Sequence, residues 1–178
     1  MFLLRLEQWI NRFSDLLGRI AGVLLILLLF NVFYDVIMRY LFNDVSIGMQ
    51  ELEWHLYSTI FLLGVSYTLR HDGHVRVDLI YEKLNVRRQG WVDLFGSLLF
   101  LLPFSLLVFY YGLGFVAESW DMSERSGDPG GLLYRWAIKS MIPIAFLSVT
   151  ISGVGLILNS INKIRGLHKE GHQAGMKF

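Results

Sequence analysis

"IAGVLLILLLFNVFYDVIMRYLF", residues 20–42, decides the fold. A helix needs about 20 apolar residues to cross the hydrocarbon core of a bilayer. This run supplies them with only Asp35 and Arg39 as charges inside it. Three further segments, about 52–69, 91–117 and 136–160, have the same texture. Their apolar residues run on without alternating, so the expected fold class is an all-α membrane protein with four transmembrane helices rather than a barrel. Pro103 and Pro143 fall inside the third and fourth segments and predict a kink in each.

Composition points the same way. The chain has 178 residues, 54% hydrophobic and only 17% charged, against roughly 25% charged in soluble proteins. A net charge of +1 gives no footing for nucleic acid. With no cysteine, disulfides, iron–sulfur clusters and thiol chemistry are excluded. The start, "MFLLRLEQWINRFSDLLGR", interleaves arginines with acids and aromatics. The apolar run after it is too long for a signal-peptide core and has no A-x-A-like cleavage site. Residues 1–19 are therefore expected to form an amphipathic lead-in helix, and 161–178 a tail. The whole chain, 1–178, reads as a single integral membrane domain.

Basic residues set the expected orientation, because cytoplasmic loops carry the excess of Lys and Arg. Arg5, Arg12 and Arg19 precede the first span. Arg70, Arg76, Lys83, Arg87 and Arg88 lie between spans two and three, and Lys163, Arg165, Lys169 and Lys177 follow the fourth. The other two loops hold only Arg125 and Arg135. Both termini and the middle loop are accordingly expected in the cytoplasm. Trp54, Trp91, Trp120 and Trp136 lie near span ends, as interfacial anchors do, and Arg76, Arg87 and Arg88 are placed to face anionic headgroups.

The densest polar stretch, "LRHDGHVRVDLIYEKL" (69–84), has an H-x-x-H spacing that could hold a metal. Gly73 interrupts it, and no second motif supports it. After Gly73, Val77, Ile80, Tyr81 and Leu84 fall at helical spacing, which predicts a short amphipathic helix lying in the cytoplasmic interface. A bis-histidine haem would need two imidazoles at matched depth. His55 and the pair His71 and His74 are instead separated by roughly 24–28 Å along one helix. No cofactor, no metal and no enzymatic activity are expected.

Inside the spans, Asp35 and Arg39 stand four apart, acid first, and share a helix face. An ionised group at that depth seldom faces lipid. It either pairs within the helix or docks against another protein or an aqueous path. Ser58, Thr59, Gly64, Ser66 and Thr68 make span two rich in small and hydroxylated residues, which permit close helix–helix approach.

"RYLFN" (39–43), "EL" (51–52), Gly64, "GHVRVDLI" (73–80) and "SGDPGGLLYRW" (126–136), set among four spans, resemble the small membrane subunit (DctQ-like small permease) of tripartite ATP-independent periplasmic (TRAP) transporters. The likeness covers essentially the whole chain in span number and order. Gly48-Met49-Gln50 stands where that family often has a tryptophan before the "EL" pair. The resemblance implies a multi-pass protein of the bacterial inner membrane that scaffolds a large permease subunit. That subunit takes up a solute, usually an organic acid, by symport with an ion after a periplasmic solute-binding protein delivers it. It also implies that Arg39, Glu51, His74 and Asp78, at the matching motif positions, serve subunit packing and anchoring. Gly64 and Asp35 join them as interface candidates. The alternatives are a cytochrome-like anchor of a redox enzyme and a small autonomous transporter.

Overall fold

A computed structural model describes residues 2–71, 81 and 83–166. Among them every regular element is helical. In chain order these are α1 (Phe2–Leu41), α2 (Ile47–Arg70), α3 (Val86–Gly96), a π-helical turn (Ser97–Leu101), α4 (Leu102–Asp121), α5 (Trp136–Lys139) and α6 (Met141–Ile164). Three helical stretches are long and apolar enough to cross a membrane: Arg5–Leu41, Val86–Asp121 and Arg135–Ile164. α2 is 24 residues long.

Several boundaries differ from those expected of the sequence. The lead-in segment and the first span are one helix of 40 residues, about 60 Å at 1.5 Å per residue. Nothing in residues 2–19 breaks it, since glycine first appears at Gly18 and proline not at all. Asn43 ends it. Its φ of 50° is left-handed, and the Asp44 amide turns back to the Met38 carbonyl at 3.0 Å. Ser46 then opens α2 as an N-cap, its hydroxyl accepting from the Met49 amide.

The third span runs on through Pro103. A proline offers no N–H and crowds the carbonyl four residues back. Here the π-helical turn just before it widens the ladder, with the Leu102 amide bonding the Ser97 carbonyl. Pro143 behaves otherwise. It lies in the first turn of α6, where a missing N–H costs little, and Ser140 separates α5 from α6 just before it. Residues 72–80 and 82, which hold most of the expected interfacial helix, lie outside the described residues. Leu84, its last apolar position, belongs to a turn whose amide bonds the Tyr81 carbonyl at 3.1 Å.

α6 is the hub. It packs against α1 and α2 on one side and α3 and α4 on the other, and the two pairs meet mainly through it. Most of its buried residues are small, Ala145, Ser148, Ser152, Gly153, Gly155 and Ser160 among them. A Cβ on Gly155 would come within 2.8 Å of the Ile10 side chain, so the glycine makes room on α6 for Ile10 of α1. The buried serines return their protons to the helix, Ser148 to the Ile144 carbonyl and Ser160 to the Leu156 carbonyl. Large apolar side chains such as Phe30, Phe33, Phe100, Phe104 and Tyr110 point outward. Small residues inside and greasy ones outside is the arrangement expected where the surrounding solvent is hydrocarbon.

Candidate functional site

Antiparallel packing gathers the ionisable side chains at the two ends of the bundle. One end carries the α1–α2 and α4–α5 connections and is centred on Glu51. The other carries the start of α1, the C-terminus of α2, α3 and the C-terminus of α6, and is centred on Asp93.

At the Glu51 end, the carboxylate in the first turn of α2 reaches across to the loop after α4. Glu51 accepts from the Ser126 hydroxyl and, at 2.6 Å, from the Leu132 amide. The same loop closes on itself through the Ser126 amide and Leu132 carbonyl at 3.1 Å. Gly131 makes this possible, because a Cβ there would meet Ser126 Oγ at 2.4 Å and Glu51 Oε2 at 2.9 Å. A second carboxylate, Glu124, accepts from Lys139 and faces Arg135 at 3.8 Å. Lys139 Nζ also lies 4.1 Å from the centre of the Phe115 ring. The hydrogen bond from Ser126, then that from Leu132, holds the Glu51 carboxyl below its usual range, against the opposing effect of burial. The hydrogen bond from Lys139 does the same for Glu124. Tyr134, at a left-handed φ of 63°, turns the chain into α5 just after this clasp.

The Asp93 end is built from helix-to-helix pairs. Arg70, at the end of α2, pairs with Asp15 of α1 and donates to the Asn11 carbonyl at 2.7 Å. His71 Nε2 is 3.4 Å from the same Asp15 carboxylate. Asn162 of α6 donates to Glu7 of α1 at 2.8 Å. Asp93 of α3 accepts from Tyr81 at 2.7 Å and from Lys163 of α6 at 3.1 Å. Asp93 and Lys163 are only 7% and 14% exposed, which makes this the most enclosed ion pair described.

The expected site residues are divided between these ends. Asp35 and Arg39 do pair within α1, with Asp35 4% exposed and Arg39 42%. Asn31, one turn earlier, donates to the Met49 carbonyl of α2 at 3.0 Å, so Asp35 lies level with the start of α2 rather than deep in the bundle. Glu51 is the loop clasp. Among the described residues Gly64 is no close-approach point, since a Cβ there would meet nothing of them within 4 Å. Trp54, Trp120 and Trp136 all stand at the Glu51 end, the last two with rings edge-on at 4.6 Å. Trp91, stacked on Phe95 at 5.6 Å, and exposed Arg87 and Arg88 stand at the Asp93 end. His74, Arg76 and Asp78 lie outside the described residues. Sequence reading missed Asp15, Glu124, Asp93 and their partners. Only the isolated acids and bases beside the apolar runs hinted at them.

Chemically the arrangement binds helix to helix and helix to loop. His55 and His71 occupy opposite ends of α2, too far apart to share a haem. Among the described residues no cluster of three His, Asp or Glu could hold a metal ion.

Comparison with known proteins accords with this reading. Residues 28–163, more than half of the chain, match the family described as "Tripartite ATP-independent periplasmic transporters, DctQ component". Over 158 residues the chain is 24% identical to the ectoine TRAP transporter small permease protein TeaB of Halomonas elongata, covering 85% of this chain and 77% of that protein. A helical membrane chain with this length, this order of apolar segments and this family match belongs to the DctQ component of tripartite ATP-independent periplasmic transporters, as a small permease subunit.

Proposed function

We propose that the chain is a four-span scaffold of the bacterial inner membrane, with both termini in the cytoplasm, holding a large permease subunit that performs the transport. In this reading Asp35, Arg39 and Gly64 face or support the partner, and Trp54, Trp91, Trp120, Trp136, Arg87 and Arg88 anchor the ends in the two interfaces. His74, Asp78 and Arg76 keep the roles implied by the family motif. The proposed cargo is a small organic acid, delivered by a periplasmic solute-binding protein and driven by an ion gradient. Ectoine, named for the relative, is the second solute to assay.

One observation carries the scaffold reading: charge is confined to the two ends. No Asp, Glu, Lys or Arg occurs in residues 54–69, 94–117 or 140–162, and in residues 16–34 only Arg19. A path for an ionised solute through this chain alone would need charged groups along its depth, as intramembrane charges mark such paths. α2 supports the count of four. It runs beside α1 from the Asn31–Met49 contact to the Arg70–Asn11 contact, about 30 Å, and so reaches from one end of the bundle to the other. Its lower apolar character comes from Glu51, Glu53 and His55, all in its first three turns.

The test is reconstitution. Proteoliposomes holding this chain alone should take up neither solute, with or without an imposed sodium gradient. Adding the large subunit and the binding protein should restore uptake of one of them. Uptake by the chain alone would refute the scaffold role.

A further inference from the structure

Arg19 is the one charge in the long apolar stretches, and the packing of α1 on α2 fixes its depth. Asn31 meets Met49 near the start of α2, and Asn11 meets Arg70 at its end, so the two helices run antiparallel in step. Counted from the Asn31–Met49 contact, Glu51 is level with Leu29, about ten residues or about 15 Å along α1 from Arg19. Asn11, at the other end, is about eight residues or about 12 Å away. Arg19 therefore sits midway between the two polar ends, level with about Phe61 of α2.

No described residue satisfies it. Arg19 is exposed and makes no ion pair or hydrogen bond among the described residues. Asp15, one turn earlier, is taken by Arg70. A guanidinium stays charged at any depth. One that lies within the apolar region rarely faces lipid. Leu16, Val23, Ile26, Phe30 and Phe33 recur with Arg19 at spacings of three and four, and all are exposed. Buried Ser14 and Ala21 lie two residues, about 200°, before Leu16 and Val23. The seam thus points away from the bundle.

Charge and depth together identify what covers it. The cover must be apolar and must bring an anionic group level with Arg19. A lipid phosphate stays near the ends of the bundle, and a periplasmic binding protein does not reach that depth. A second copy of this chain has no such group, since no Asp or Glu occurs in residues 16–34, 54–69, 94–117 or 140–162. We propose that Arg19 and the seam around it dock on a transmembrane helix of the large permease subunit, where an Asp or Glu pairs with the guanidinium. This rests on the scaffold reading and assigns the face of the scaffold that forms the interface.

The test is co-purification of the tagged chain with the large subunit after co-expression. Arg19→Leu should lower the recovered large subunit by about tenfold or more, and Arg19→Lys, which keeps the charge, should lose less. The isolated Arg19→Leu chain should melt no lower than wild type, because the residue has no partner within it. A clearly lower midpoint would place its role inside the chain and count against the proposal. With p-benzoylphenylalanine in place of Val23 or Phe30, irradiated membranes should yield an adduct with the large subunit. Undiminished recovery with Arg19→Leu, or adducts only with lipid or a second copy, would overturn the inference. Failure of the wild-type chain to bring down any large subunit would instead refute the scaffold reading beneath it.

Discussion

The two ends of the bundle use the same residue types to different effect. At the Glu51 end, carboxylates grip a loop: Glu51 holds a backbone amide and a hydroxyl, and Glu124 holds the two cations around α5. At the Asp93 end, carboxylates and amides link helix to helix: Asp15 to Arg70, Glu7 to Asn162, Asp93 to Lys163. One end fixes the shape of a connection and the other fixes the register of the spans. Damage to the Asp93 end should therefore reach the whole fold, whereas damage to the Glu51 end should stay local.

The largest expected effect is at Asp93. Asp93→Ala leaves Lys163 enclosed without its carboxylate, and breaking such a pair costs about 3–5 kcal/mol. Part of that is relieved if the ammonium reaches headgroups or water. The unfolding midpoint of the detergent-purified chain should fall clearly, and the double variant Asp93→Leu with Lys163→Leu should recover much of the loss. An unchanged midpoint in the single variant would remove the Asp93 end from its role in register.

Next come the loop variants. Gly131→Ala forces a Cβ against Ser126 and Glu51, an overpacking worth about 1–3 kcal/mol. Glu51→Gln replaces a charged acceptor of two hydrogen bonds and should loosen the loop it holds. Both should speed proteolytic cleavage within 124–131 more than they lower the global midpoint. Equal loss by both measures would erase the contrast between the ends. Arg39→Ala, which leaves buried Asp35 unpaired, should cost a similar amount and weaken co-purification with the large subunit. Unchanged co-purification and melting would confine the pair to no such role.

The smallest effect is that of pH. Hydrogen bonds depress the Glu51 and Glu124 pKa values below the ordinary 4.5. The stability they contribute is thus fully present above pH 4.5 and is lost as pH falls through the depressed values. The wild-type midpoint should decline across that window, and Glu51→Gln should flatten part of the decline.

These contrasts also show what was legible in the sequence. The apolar runs and the spacing of Asp35 and Arg39 are local signals, so helicity and that pair could be read directly. The length of α1 could not, because charges in residues 2–19 mimic a separate amphipathic segment while nothing in the backbone interrupts it. The position of Pro143 was not legible either: it falls in the first turn of α6, where a missing N–H is tolerated. Arg70 and Asp15 are far apart in sequence and meet only once the register of α1 and α2 is fixed. Glu51 was singled out by its motif, but the amide it holds lies in a loop whose path no periodicity reveals.

The absence of cysteine makes the central claim directly testable, because a single introduced thiol is unique. Gly127→Cys, in the loop of the Glu51 end, and Asn85→Cys, before α3 at the Asp93 end, both fall on exposed positions. A membrane-impermeant maleimide applied to intact cells should label the first and reach the second only after the inner membrane is broken. Labelling of both from outside, or of Asn85→Cys alone, would contradict a scaffold whose two ends lie on opposite faces of the membrane with its termini inside.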